Sequence, residues 1–401
     1  MDREFEVIKY LTKEVVYGRY KEHLINFLTS TKLEWEKLKF MLLYNELASF
    51  LYIILKNNSL SLPFDFLSFL KNVYYRDLFR YIVLFNELLT ILDAANKKSI
   101  LIIPIKGFSI GEEYYKKFGF RPLSDIDLLI KEEELEKGIK LLCELGYEKN
   151  FFGAKESYWR NKQCHINFLK RNKNGSILVE LHWSLDFKRD NKYALSCLWK
   201  RLKKVKIKDK EIFVMAPEDT LFSLALHQRR FGKVFNLKYI CDVGIILEKE
   251  KLNWEYIIEA AYRERIKASL YFLLYQTQII LDKDLSKYLK KLRISSWHKR
   301  LISCVIRKYT KSFITPFNLK YVYTICHFLL YDNILYPIKY VFTVPQEQFA
   351  KFYHLPFYTP TTERLYKLRY LYIPYKTVKE LLDRKIFKRN FLEKFNSCLF
   401  L

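Results

Sequence analysis

The sequence predicts an α+β fold: a mixed sheet flanked by helices in the middle of the chain, with helical regions on both sides. Three observations predict it. Apolar residues recur at three- and four-residue spacing through LEWEKLKFMLLYNELASFLYIILK and again through YYRDLFRYIVLFNELLTILDAANKK, the period of an amphipathic helix. From Ser99 that period gives way to short runs, SILIIPI, DIDLLI and SILVELHW, rich in residues that favour strands. After Pro217 the helical period returns through TLFSLALHQRR and KYICDVGIILEK.

Taken in order, residues 1–97 read as a helical region, broken at Asn57-Asn58-Ser59 and Pro63. SILIIPI is too short for a buried helix and ends at Lys106-Gly107, which predicts a buried strand. A helix over 108–117, a loop over 119–124 and the strand DIDLLI follow. EEELEKGIKLLCELGY predicts a helix whose leading acids suit the positive end of the helix dipole and whose stop is Gly146. KQCHINFLK and SILVELHW predict antiparallel strands, since Asn and Gly within RNKNG favour a tight turn. Residues 98–215 thus form the mixed core. Pro217-Glu218-Asp219 opens a helical domain, 216–310, with proline in the first turn and acids at its dipole. The last segment, 311–401, is basic and aromatic and is interrupted by Pro337, Pro345, Pro356, Pro360 and Pro374, which predicts short helices.

Composition narrows the function. With 401 residues, half of them apolar, the chain can bury a sizeable core. It has no apolar run of about 18 residues, and charges run throughout its N-terminal stretch, so a cytoplasmic, soluble protein without a membrane span is expected. The seven cysteines stand at least 21 residues apart, which excludes zinc-knuckle and CxxC spacing and predicts free, buried thiols. The net charge of +26 is uneven: residues 1–100 carry 14 basic and 12 acidic side chains, residues 301–401 carry 16 and 6. Two explanations account for it, a phosphate-bearing partner such as RNA or a nucleotide, and the lysine-rich usage of an AT-rich genome. There is no GxxxxGK[ST] loop, GxGxxG turn, HD dipeptide or HxxxH, which argues against a P-loop ATPase, a dinucleotide oxidoreductase and a histidine-rich phosphohydrolase.

The chemistry lies in the acids of two strands. Side chains alternate along a strand, so Asp125 and Asp127 project from one face of DIDLLI while Ile126 and Leu128 take the other. Two adjacent carboxylates repel unless a cation lies between them, and hard divalent ions take carboxylate oxygens. In SILVELHW the same alternation puts Ile177, Val179, Leu181 and Trp183 on one face and Leu178, Glu180 and His182 on the other. If the two strands are neighbours, Glu180 completes a three-acid cluster for a pair of ions about 3.5–4 Å apart, as in-line phosphoryl displacement uses. Lys106-Gly107 opens a helix whose free N–H groups attract phosphate. There Lys106 supplies a point charge, Gly107 close approach, and Arg121, four residues before Asp125, a bidentate contact. His165 and Asn167 share a face of the hairpin, and the pairing register, which sequence does not give, decides whether it borders Glu180 and His182; a histidine there either orients a ligand or makes a structural hydrogen bond. Taken singly, each feature has a bland explanation; their order, strand, Lys-Gly, helix, loop, paired acids, helix, hairpin with a third acid, carries the inference.

These motifs, IKG (105–107), RPLSDIDLLI (121–130) and VELHW (179–183), resemble a poorly characterised bacterial nucleotidyltransferase-fold family of the DNA polymerase β superfamily. The resemblance extends over about 98–245 and takes in PEDTLFSLALH and CDVGIIL. It implies a polymerase-β-like core, two Mg2+ ions, a nucleoside triphosphate, most simply ATP, and transfer of a nucleoside monophosphate to an acceptor with release of pyrophosphate. By position, Asp125 and Asp127 would bind both metals and Glu180 would be the third carboxylate. His227, Lys238 and Asp242 match recurring family positions, as packing or nucleotide-edge residues. Phe108 departs from the superfamily's usual small residue after the glycine. The acceptor, a small molecule, a protein or an RNA end, is not specified. A second function class also stands: a catalytically inactive scaffold serving as a basic nucleotide- or RNA-binding module.

Overall fold

The N-terminal apolar repeat folds into helices Arg3–Tyr17, Lys21–Ser30, Trp35–Tyr44, Ala48–Leu55 and Phe64–Lys97. This is seen in a computed structural model that describes residues 2–58, 60–172, 175–187, 195–207, 210–231, 236–311, 328–333 and 335–382. The repeat over 33–56, continuous in sequence, is divided. Asn45 is fully buried and turns its amide onto the Met41 carbonyl at 2.8 Å, and Glu46 takes a φ of 54°, so the helix stops and a new one begins at Ala48.

The middle of the chain forms a five-stranded sheet from β1 (Ile102–Pro104), β2 (Ile126–Ile130), β3 (Glu148–Asn150), β4 (His165–Asn172) and β5 (Gly175–His182), in the order β1-β2-β5-β4-β3. β2 and β5 run parallel and every other pair is antiparallel, which makes the sheet mixed. The expected RNKNG turn includes Lys173 and Asn174, which lie outside the described residues; its flanks pair as Asn172↔Gly175. A separate hairpin, β6 (Lys203–Ile207) and β7 (Lys210–Val214), completes the strands among the described residues.

One face of the sheet is the core. Ile126, Leu128, Ile130, Ile166, Phe168, Val179 and Leu181 pack there against Leu84, Leu88 and Ile91 of the Phe64–Lys97 helix and Ile139 and Leu142 of the Leu135–Glu144 helix. The second helix lies very close: a Cβ at Gly138 would come within 2.7 Å of Ile130 Cδ1 and 3.2 Å of a Leu181 methyl, so a larger residue would have to displace the ends of those side chains. Gly146, at φ 83°, turns the chain out of that helix into β3. With its apolar residues on the core side, the sheet presents Asp127, Asn167, Glu180 and His182 on its opposite face.

Helices Pro217–Phe231, Leu237–Lys249, Trp254–Arg263, Lys267–Leu281, Ser286–Lys291 and Ser296–Lys311 follow. Together with the sheet and the N-terminal helices they belong to one compact unit, Met1–Ile314 with Tyr323–Asp332. A second unit, Thr315–Val322 with Asn333–Leu401, contains helices Leu335–Thr343, Gln346–Tyr353, Pro360–Lys367 and Arg369–Leu382, the last with Pro374 inside it. No single described helix is long and apolar enough to cross a membrane. The cysteines correct one expectation. Cys143, Cys164, Cys197, Cys241 and Cys304 are free, but only Cys164 and Cys241 are buried, and Cys143 and Cys304 are exposed because they fall on the solvent faces of their helices. Cys326 and Cys398 lie outside the described residues.

Candidate active site

Strand pairing assembles the acids. β2 and β5 are in register with Asp127 beside Glu180 and Leu129 beside His182, so Glu180 and His182 project from the same face as Asp127. Asp125 stands one residue before β2, on a loop whose Ser124 carbonyl accepts a hydrogen bond from Arg80 Nε at 3.2 Å. β4 adds the third column: His165 pairs with His182 and Asn167 with Glu180. For Asp127, Glu180 and His182 the face expected from alternation is therefore the face that forms, whereas Asp125, expected within the strand, precedes it.

The distances within this cluster are short. Asp127 Oδ1 accepts from Lys106 Nζ at 2.7 Å and lies 2.9 Å from His182 Nε2. The same His182 nitrogen lies 3.1 Å from Glu180 Oε2, and His165 Nε2 stands 3.9 Å from that oxygen. The His165 and His182 rings lie 4.8 Å apart. Asp127, Glu180 and His182 offer ligand atoms close enough together to share one metal ion.

Electrostatics set the carboxyls apart. Burial and the charges of Asp127 and Glu180 push Asp125 up to about 7, against the weaker pull of Lys106 and Lys238. Burial also works against ionised Asp127, but Lys106 and His182 outweigh it and hold that carboxyl well below the ordinary range. For Glu180 burial is overcome by His165 and His182, which bring it to about 2. Burial disfavours the His182 imidazolium, yet hydrogen bonds to Asp127, Cys164 and Glu180 raise it to about 9. The result is a pair of firmly ionised acids beside one that holds its proton near neutrality.

Lys106 reaches this cluster from an unusual backbone. It precedes the Gly107–Tyr114 helix with φ 52° and ψ −106°, a conformation costing a non-glycine residue about 1–3 kcal/mol. Ile105 N donates to the Asp127 carbonyl at 3.0 Å, so the turn is tied to β2 and Lys106 is aimed along it. Phe108 is buried, 5.9 Å from the Tyr81 ring and 6.0 Å from Phe85, and so its bulk fills the core. At Gly107 an added Cβ would meet Leu123 at 3.7 Å, an ordinary contact; nothing in the surrounding protein demands glycine there.

Arg121 does not join the acids. It is buried in a two-pronged ion pair with Asp242, Nε to Oδ1 at 2.8 Å and the terminal nitrogen to Oδ2 at 2.6 Å, and Tyr115 donates to the same carboxylate at 2.8 Å. Asp242 thus has a structural partner. Lys238 reaches Glu46 and the Pro122 carbonyl, the latter at 3.4 Å. His227 lies at the edge of the cluster, its Nδ1 3.5 Å from Lys106 Nζ and its Nε2 2.8 Å from the Tyr239 hydroxyl. Tyr239, Tyr115 and Cys164 had no local signal in sequence. Tyr239 follows Lys238 in a helix where tyrosine reads as core, and the contacts of all three depend on tertiary approach.

The sequence model of a family described as "uncharacterised nucleotidyltransferase" matches residues 31–282, a span that contains every residue of this cluster. No curated protein and no solved structure matches the chain.

Proposed function

The chain belongs to the uncharacterised nucleotidyltransferase family, and on that premise we propose that it transfers a nucleoside monophosphate from a nucleoside triphosphate to an acceptor at the cluster of Asp125, Asp127 and Glu180. The observation that carries the proposal is the parallel register of β2 and β5, which sets Asp127 beside Glu180 on the sheet face away from the core. Such a concentration of acid fits a divalent ion: the donors are carboxylate oxygens, and Asp125 is pushed to about 7 mainly by burial and its acidic neighbours, a penalty that a cation would relieve. Asp125, Asp127 and Glu180 would hold it, and Mg2+ is the ion such oxygens ordinarily take. When bound, a divalent ion supplies neutralisation of the charge that develops on the transferring phosphoryl group.

The chain's own residues do the rest. Lys106, held beside Asp127, is within reach of a triphosphate that approaches the same cluster, and the first N–H groups of the helix that Gly107 opens would attract its phosphate oxygens. Arg121 acts indirectly: bound to Asp242, it anchors the loop that leads to Asp125. Catalysis on this account is positioning and electrostatic compensation, with ATP the first triphosphate to try.

Incubating the protein with Mg2+ or Mn2+ and each α-labelled triphosphate, together with cellular RNA, metabolites and the protein itself, tests the proposal. Label on one of these acceptors, with equimolar pyrophosphate, is the expected result. Metal-independent RNA binding with no transfer from any triphosphate would instead mark a basic binding module on a nucleotidyltransferase scaffold.

A further inference from the structure

We infer that His182 is a direct nitrogen ligand of the metal at this site, so that the site selects a first-row transition ion, Mn2+ among them, over Mg2+. The inference rests on the nucleotidyl-transfer proposal and extends it to the identity of the ion.

The spacing of donor atoms carries it. His182 Nε2 lies 2.9 Å from Asp127 Oδ1 and 3.1 Å from Glu180 Oε2. Donors on adjacent corners of an octahedron, each about 2.1 Å from the ion, stand about 3.0 Å apart, and the two separations match that edge. Asp127, Glu180 and His182 lie on two strands held in register, which brings the three side chains to one face. The imidazole is fully buried, lies 4.8 Å from the His165 ring and hydrogen-bonds Cys164, so its plane is fixed in the way that outer contacts fix metal-bound histidines.

The chemistry of the donor set then decides the ion. Mg2+ takes oxygen and gives up water reluctantly, whereas a nitrogen alongside two carboxylates suits Mn2+ and the later first-row ions. The competing picture keeps His182 as a hydrogen-bonding cation that orients both acids and never touches metal. The two pictures predict different spectra.

The test loads the full chain with Mn2+ alone and measures nitrogen coupling to the metal by pulsed electron paramagnetic resonance. Direct coupling is expected, with the isotope pattern changing when the protein is made with 15N-histidine, which needs no substitution. The coupling is expected to vanish in His182→Gln and to persist in His165→Gln. In competition, Mn2+ should bind at least about tenfold more tightly than Mg2+, and His182→Gln should close most of that gap. Mn2+ bound without histidine coupling, a coupling that disappears with His165 instead, or equal affinity for the two ions would overturn the inference. If Mn2+ binds without histidine coupling and nucleotide is still transferred, only the ligand assignment falls; if neither ion binds and no nucleotide is transferred, the proposed function falls with it.

Discussion

Two charged clusters lie in the same unit, and their differences separate structure from chemistry. Arg121 and Asp242 form a closed pair: one guanidinium, one carboxylate, two hydrogen bonds and a tyrosine hydroxyl, with the side chains 3% and 0% exposed. Around Asp127 three acids meet Lys106 and His182, and the Asp127 and Glu180 side chains keep 11% and 14% exposure. A buried, saturated pair has nothing left to offer a ligand, and breaking it leaves a stranded charge. An acid-rich, partly open cluster is costly to the fold by itself and is relieved by a bound cation. Two aspartates of the same unit, Asp242 and Asp127, therefore take opposite roles.

The sharpest way to break this contrast is Asp127→Asn, expected to lower nucleotide transfer, measured as pyrophosphate release, by at least about a thousandfold. Asp242→Ala is expected to act on the other side of it, costing about 3–5 kcal/mol in urea unfolding because Arg121 stays buried and unneutralised. Replacing both partners, Arg121→Met with Asp242→Leu, should recover much of that loss, which would show that the pair serves the fold.

Asp125 should respond with the opposite sign. Its carboxyl is raised from 3.8 to about 7, so the metal-free native state holds a proton that the unfolded chain releases. Asp125 therefore makes stability fall as pH rises from about 4 to about 7 and contributes no further slope above that. Asp125→Asn should remove this slope and stabilise the metal-free protein at pH 8 by on the order of 1–2 kcal/mol, less than the full shift implies because the carboxyl keeps some contact with water. Chemical denaturation across that pH range, wild type against variant, reads both. The smallest expected effect on the fold is at Gly107. Gly107→Ala should change the unfolding free energy by under about 0.5 kcal/mol, since the added methyl meets only ordinary contacts, yet weaken triphosphate binding roughly tenfold. Unchanged binding in that variant would remove the Lys106-Gly107 turn from the site.

How much of this was legible beforehand follows the range of the interactions. Alternation told which of Asp127, Glu180 and His182 share a face, because that is a property of a single strand, but the strand begins at Ile126 and leaves Asp125 on the loop before it. The hairpin flanks and the helix stop at Gly146 were equally local. The β6–β7 hairpin was missed although its signal was present: Val205 and Ile207 alternate with lysines before Lys208-Asp209-Lys210, and Ile212 and Val214 continue the alternation after it. Arg121 was assigned to phosphate because it is four residues from Asp125. Its partner lies 121 residues away on the Leu237–Lys249 helix, and no local pattern encodes that meeting. His182 was placed near the acids, but its contact with both Asp127 and Glu180 depended on the parallel register of β2 and β5, which neither strand specifies alone.

Triphosphate binding, followed by calorimetry with and without divalent metal, measures the central claim most directly when wild type is set beside Asp127→Asn and the Arg121→Met/Asp242→Leu double variant. The account predicts metal-dependent binding in the wild type, retention in the double variant and a loss of at least about a hundredfold in Asp127→Asn. Binding that ignores metal and survives in Asp127→Asn, but disappears when Arg121 and Asp242 are replaced in a still-folded protein, would contradict it.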